Sequence, residues 1–164
     1  MAVTVQMQFE SAVTEMYQDA FVGSSIENGA TIITFDLRQH DFQHELGATS
    51  TLYWRKEAYH VDIHELSTFH NPIQYRFIFA QGYYLDNQNQ RMYFTPDIQG
   101  VSTAQHMSHS IIRLACYLAV VCGVSLRHIA LLFTSLFLMP ITKSSIKRWI
   151  DDIGSNLPSQ EEML

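Results

Sequence analysis

The sequence predicts an α+β fold: an N-terminal helix with a small antiparallel β region, followed by a module of three helices. Three observations carry this expectation. Apolar residues recur at helical spacing near the start of the chain and again from residue 108 to 153. Between those stretches, short runs rich in β-branched and aromatic residues alternate with polar ones and are bounded by Gly, Asn, Asp and Pro. Charge is also segregated. Residues 101–150 carry Arg113, Arg127, Lys143, Lys147 and Arg148 and no acid, within a chain of net charge −6. The organisation expected is residues 1–104 for the N-terminal helix and β region, 105–154 for the helices, and 155–164 for an acidic tail.

In chain order, Phe9, Val13, Met16, Tyr17 and Ala20 give residues 1–22 a helical spacing. Gly23-Ser24-Ser25 and Glu27-Asn28-Gly29 then interrupt the chain. The run ATIITFDL from Ala30 reads as a strand. A second run starts at Thr51 and reaches about Trp54, with a continuation through Tyr59, Val61 and Ile63. The clearest hairpin is IQYRFIFAQGYYL, a polar turn at residues 86–90, and RMYFTPD. Pro96 and Gly100 close the region, giving four or five antiparallel strands.

The helices come next. In the first, Ile111, Ala115, Leu118, Ala119 and Cys122 form a stripe that Gly123 ends. Ser125 caps the second, whose stripe is Leu126, Ile129, Ala130, Phe133 and Leu136. Thr142 caps the third. There Ile146, Trp149, Ile150 and Ile153 fall at i, i+3, i+4 and i+7, and the opposite face carries Lys143, Ser144, Lys147 and Arg148, with Gly154 at the expected stop.

The runs GVSLRHIALLF and ITKSSIKRWI in this stretch resemble the trihelical, homeodomain-like helix-turn-helix near the N-terminus of bacterial insertion-sequence transposases. The resemblance covers residues 108–153. It implies that the third helix lies in the major groove with Lys143, Ser144, Lys147 and Arg148 facing DNA. Members of that family often carry a zinc ribbon built on two cysteine pairs, and a catalytic domain after the helices. Only Cys116 and Cys122 are present here, and eleven residues come after Ile153. The chain is therefore expected to be a targeting part or a truncated remnant, not catalytic by itself.

Length and composition bound the other classes. At 164 residues the chain is one domain or two small ones, and 47% apolar with 16% charged residues is a globular composition. The start lacks the basic and apolar regions of a signal peptide, and no run approaches the roughly 18 apolar residues of a membrane span. A helical hairpin in a membrane, built on residues 114–124 and 129–141, is the lesser alternative. Cys116 and Cys122 read as free thiols in a reducing compartment, with the cytoplasm as the default.

Several other residues invite a chemical reading. His40 with His44, and His60 with His64, are each four apart, a spacing that on a helix face could share a metal, but His60–His64 lies in a run that reads as extended, and no Cys pair or HExxH accompanies either pair. Asp36 ends a strand, as one carboxylate of a metal-dependent nuclease would, although an Asp there is ordinary turn chemistry. Tyr75, Phe77, Phe79, Tyr83, Tyr84, Tyr93 and Phe94 could form an RNA-binding sheet face, against the plainer reading as the core of a small sheet. Ser-His-Asp, Walker and dinucleotide signatures are absent. No cofactor, metal or small-molecule substrate is expected.

The function expected is sequence-specific binding of double-stranded DNA, a transposon end by the resemblance. Thr142, Lys143, Ser144 and Ser145 stand at the groove-entering end, Lys147 and Arg148 over phosphates, with Arg127 and His128 opening the preceding helix. A protein-interaction or dimerisation module built on residues 111–141 is the rival, favoured by the acidic balance of the whole chain. A homodimer is compatible with both. A small nuclease carries the least weight.

Overall fold

A computed structural model of the chain describes residues 12–48, 50–67 and 70–155. Its elements are helix α1 (Ala12–Met16), strands β1 (Phe21–Glu27) and β2 (Ala30–Asp36), helix α2 (Phe42–Leu46), strands β3 (Tyr53–Trp54), β4 (Tyr59–Glu65), β5 (Ile73–Phe79), β6 (Gly82–Leu85), β7 (Arg91–Phe94), β8 (Val101–Ser102) and β9 (Met107–Ser108), and helices α3 (His109–Val120), α4 (Leu126–Leu136) and α5 (Lys143–Ser155). Two 3₁₀ turns, Gln18–Ala20 and Leu37–Gln39, flank the first hairpin. Phe9 of the expected first helical stripe, and the tail after Ser155, lie outside the described residues.

Six strands form one sheet in the order β1-β2-β5-β4-β9-β8, and β3-β6-β7 form a second sheet of three. β1 and β2 join through Asn28 and Gly29, both at positive φ (50° and 79°), as a two-residue turn with the twist of a hairpin requires. β2 and β5 run parallel, from Thr31 beside Ile73 to Asp36 beside Ile78. β5 shows the clean period of two: Ile73, Tyr75 and Phe77 are buried, while Gln74, Arg76 and Ile78 face outward. On that outer face the Arg76 guanidinium donates to Asp62 on β4 (2.8 and 2.9 Å) and to Glu27 on β1 (2.8 and 3.0 Å). One side chain thus ties the edge strand to the sheet centre.

The inner face packs Tyr17, Phe35, Leu37, Phe42, Ile63, Tyr75 and Phe77 into one core. Phe35 and Phe77 stack at 5.3 Å between ring centroids. A second core joins α3, α4 and α5 through Ile111, Ala115, Ile129, Phe133, Ile146 and Trp149. Their inner stripes are those of the sequence, save that Cys122 and Ile153 end exposed.

The fold class expected from the sequence is nevertheless overturned. The β region is a large mixed sheet with a second sheet beside it, not a small antiparallel one. Nor do the helices after it form a helix-turn-helix module, so the likeness to insertion-sequence transposases fails at the level of fold. α3, α4 and α5 are the three described helices of seven or more residues, and they grow out of the sheet. Met107 of β9 lies in the helical core, with Leu66 packed against it. The Ser108 hydroxyl donates to Glu65 on β4 (2.7 Å) and caps α3 by accepting from the Ile111 N–H. The His70 N–H donates to the Leu136 carbonyl (2.8 Å). Capped amphipathic helices joined by a tight Gly-Val-Ser link have the same local pattern in either setting, so the local signal does not specify the module.

His40 shows a further consequence of the fold. Its Nδ1 lies 2.7 Å from Asp19 Oδ1 and its Nε2 3.0 Å from Glu45 Oε1. A ring that donates from both nitrogens is protonated. Burial alone would depress the His40 pKa, but its hydrogen bonds to Asp19 and Glu45 and their charges outweigh that and leave it raised. A raised histidine stabilises the fold fully below the free value of about 6.5, and that contribution is lost as pH rises through the folded value. In urea titrations, the gap between the wild-type and His40→Gln midpoints should therefore shrink as pH rises from about 5 to 9. A gap independent of pH would refute the charged cluster.

Candidate nucleic-acid interface

α5 starts with the cap the sequence calls for. Thr142 Oγ1 accepts from the Ser145 N–H (3.2 Å) and lies 3.0 Å from the Ser145 hydroxyl. Capping leaves other N–H groups of the first turn open to an anion, where the helix dipole is positive. Ile146 and Trp149 are buried beneath this helix. The turn of the helix then sends Lys143, Ser144, Lys147 and Arg148 outward, all exposed, and Lys143/Lys147 and Ser144/Arg148 are i, i+4 neighbours. Lys147 reaches Asp151 at 3.5 Å, an exposed pair. Such a pair holds its lysine weakly, contributing about 0.3–0.5 kcal/mol in a helix. Lys143, Arg148 and Arg127 join no ion pair among the described residues.

The eight candidates thus form one continuous set and one outlying pair. Thr142, Lys143, Ser144, Ser145, Lys147 and Arg148 share the first two turns of α5. Arg127 and His128 open α4 instead, with no hydrogen bond to the α5 set among the described residues. The His128 ring is engaged by the α4 cap: its Nδ1 lies 2.9 Å from Ser125 Oγ, which also accepts the His128 N–H.

Two of the other candidates, Asp36 and His40, are occupied by structure. The Asp36 carboxylate accepts the Arg38 guanidinium (2.6 and 2.8 Å) and the Arg38 N–H; those hydrogen bonds hold its pKa below the usual carboxylate value. It is the cap of a 3₁₀ turn. His40 is held by Asp19 and Glu45. Among the described residues no group of three or more His, Cys, Asp or Glu is placed to hold a metal, and no helix is long and apolar enough to cross a membrane.

The aromatic residues divide in a way the sequence reading misses. Tyr75 and Phe77 are core. Tyr83 and Tyr93, together with Tyr53, stand on the outer face of the three-stranded sheet in one cross-strand row, because Tyr53 pairs with Tyr83 and Tyr83 with Tyr93. Tyr53 and Tyr83 stack at 5.2 Å with planes 19° apart, and Tyr93 lies 5.9 Å from Tyr83. The Arg91 guanidinium sits over Tyr83 (5.1 Å) and that of Arg55 over Tyr93 (5.5 Å). Hydrogen bonding from Arg91, with Arg55 adding to it, draws the Tyr93 phenol pKa below its ordinary value. The legible signal is the i, i+2 pairing of Tyr53 with Arg55 and of Arg91 with Tyr93, which puts each pair on one side of a strand.

Compared with protein-family models, curated proteins and solved structures, the chain matches none.

Proposed function

We propose that the chain binds duplex DNA through the exposed basic face of α5. The observation that carries this reading is the side-by-side exposure of Lys143, Lys147 and Arg148 opposite the buried Ile146 and Trp149, in a segment without one acid from residue 101 to 150. Lys143 and Arg148 join no ion pair among the described residues, and Lys147 shares only an exposed one with Asp151 at 3.5 Å; such cations are the groups that displace counterions from phosphate. Lys147 and Arg148, in the second turn, meet the backbone. Lys143, Ser144 and Ser145, at the end of the helix where side chains and free N–H groups converge, meet base edges. The overall acidity of the chain does not oppose this, since the acids lie before residue 98 and after residue 150.

Selection of random duplexes against the purified protein tests the reading, followed by titrations between about 50 and 200 mM salt. Lys147→Ala and Arg148→Ala should each weaken all sequences alike and flatten the salt slope by about 1. Lys143→Ala or Ser144→Ala should relax the preference among sequences. DNA retention unchanged in both pairs would refute the helix-face assignment.

A second reading, self-association, has its own observation. Tyr117, Val120 and Val121 on and just after α3, and Leu131, Leu132 and Leu138 on and after α4, are exposed large apolar side chains that a self-associating surface would cover. Sedimentation that stays monomeric at every concentration would dismiss it. The two readings are compatible, since a dimer presents two helices to successive major grooves. A cytoplasmic compartment accompanies both, because Cys116 and Cys122 are free thiols, as a reducing compartment keeps them.

A further inference from the structure

We propose that the outer face of the three-stranded sheet is a stacking platform for unpaired DNA bases, with Tyr53, Tyr83 and Tyr93 as the rings and Arg55 and Arg91 as the phosphate partners. The choice of DNA over RNA rests on the duplex-binding reading of α5; the stacking chemistry stands without it.

The sheet has two faces with different demands. Trp54, Gly82 and Phe94 lie opposite one another across the three strands, and Trp54 and Phe94 pack on Phe42 and the sheet core. Folding accounts for that row. It does not account for the next one. Tyr53 and Tyr93 are about half exposed, at 47% and 50%, and no described element covers them. Tyr53 and Tyr83 stack on one another and Tyr93 lies beside them, a row of rings that a base can join as it joins its neighbours in a single strand. Aromatic rings along a positively charged track are how sequence-tolerant binders hold single strands.

Charge on the face suits the same occupant. Arg55, Lys56 and Arg91 are exposed, and none joins an ion pair among the described residues. Against these cations stand Glu57, which accepts from the Tyr59 hydroxyl (3.3 Å), and Asp86, which accepts the N–H groups of Gln88 and Gln90 in its turn; both keep their charge, and the cations outnumber them. Arg55 and Lys56 also border a cleft of about 550 Å³ with Glu57, Tyr59 and Gln81, room for the strand to leave the row. In the free protein the guanidinium groups rest on the rings. An arriving base takes that place, and the displaced guanidinium turns to the adjoining phosphate, so one exchange makes both contacts.

The test is fluorescence anisotropy of the full chain with a labelled oligo-dT of about twelve nucleotides, an oligo-rU of equal length and a duplex. Oligo-dT should bind. Replacing Tyr53 and Tyr93 together by alanine should weaken it about tenfold or more, with an unchanged far-ultraviolet spectrum. Tyr53→Phe with Tyr93→Phe should keep binding, since stacking needs the ring and not the hydroxyl. Tyrosine-dependent oligo-dT binding without duplex binding would sink the α5 reading alone. No oligo-dT binding, or binding indifferent to the alanine substitutions, overturns the platform. Tighter binding of oligo-rU than oligo-dT overturns its assignment to DNA.

Discussion

Phe133→Ala should lower the stability of the protein by about 3–5 kcal/mol. The phenyl ring is fully buried in the helical core, 5.5 Å from the Phe137 ring. The backbone of the same residue organises the helix end, because the Phe133 carbonyl accepts from the N–H groups of both Phe137 and Met139. The stronger expectation concerns what unfolds with it. Met107 belongs to a strand of the large sheet and to the helical core at once, and Ser108 is hydrogen-bonded to the buried Glu65, so loss of the helices should carry the sheet with them.

The two tryptophans report on this separately. Trp54 packs against the sheet core and Trp149 is buried in the helical one. The Trp149 Nε1 has no hydrogen-bond partner among the described residues, so Trp149→Phe costs no hydrogen bond there and leaves Trp54 as sole reporter; Trp54→Phe leaves Trp149. Denaturant transitions from the two reporters should coincide, and Phe133→Ala should move both to the same lower midpoint. A Trp149 transition that moves alone would show the helices to be a self-standing unit, against the anchoring of α3 on the sheet.

How much of the fold was legible in the sequence depends on how local each determinant is. The caps at Ser125 and Thr142 are written within four residues of the first turns they serve and are present as read; so are the inner stripes of α3, α4 and α5, apart from Cys122 and Ile153. The expected hairpin forms only in part: Gly82–Leu85 pairs with Arg91–Phe94 across the turn closed by Asp86, whereas Ile73–Phe79 belongs to the other sheet. The parallel pairing of β2 with β5 is not local: it joins residues about forty apart and leaves no mark in either strand. β1 escapes the sequence reading although Asn28-Gly29 is a strong hairpin signal, because Gly23-Ser24-Ser25 reads as a loop and the strand is exposed along most of its length. Of the candidate site, the basic face of α5 was legible because helical periodicity alone sorts Lys143 and Lys147 from Ile146 and Trp149. The tyrosine row was not. Tyr53, Tyr83 and Tyr93 become neighbours only through register, and composition cannot tell Tyr83 on the outer face from Tyr75 in the core.

Gly82→Ala should destabilise by about 1–3 kcal/mol, the usual cost of overpacking a filled site. A Cβ at this position would stand 2.5 Å from Cε1 and Cζ of Phe94 and 3.2 Å from Cε3 of Trp54. The Phe94 ring has little freedom to yield, because Trp54 (5.3 Å), Phe42 (6.1 Å) and Tyr84 (6.4 Å) surround it. The glycine is therefore a requirement of close packing within its cross-strand row, not of backbone angle. If so, its cost depends on the size of residue 94. Phe94→Leu alone should destabilise, by loss of ring contacts, but Gly82→Ala added to it should cost less than in the parent, a coupling of about 0.5–3 kcal/mol in a double-mutant cycle. Additive costs would mean that the strain lies elsewhere, against Trp54 or in the strand itself. Displacement of Phe94 also moves β7 against β6, the pairing that sets Tyr93 beside Tyr83. Gly82→Ala should thus weaken oligo-dT binding while leaving every ring and guanidinium of the outer face in place, and Phe94→Leu should restore part of it.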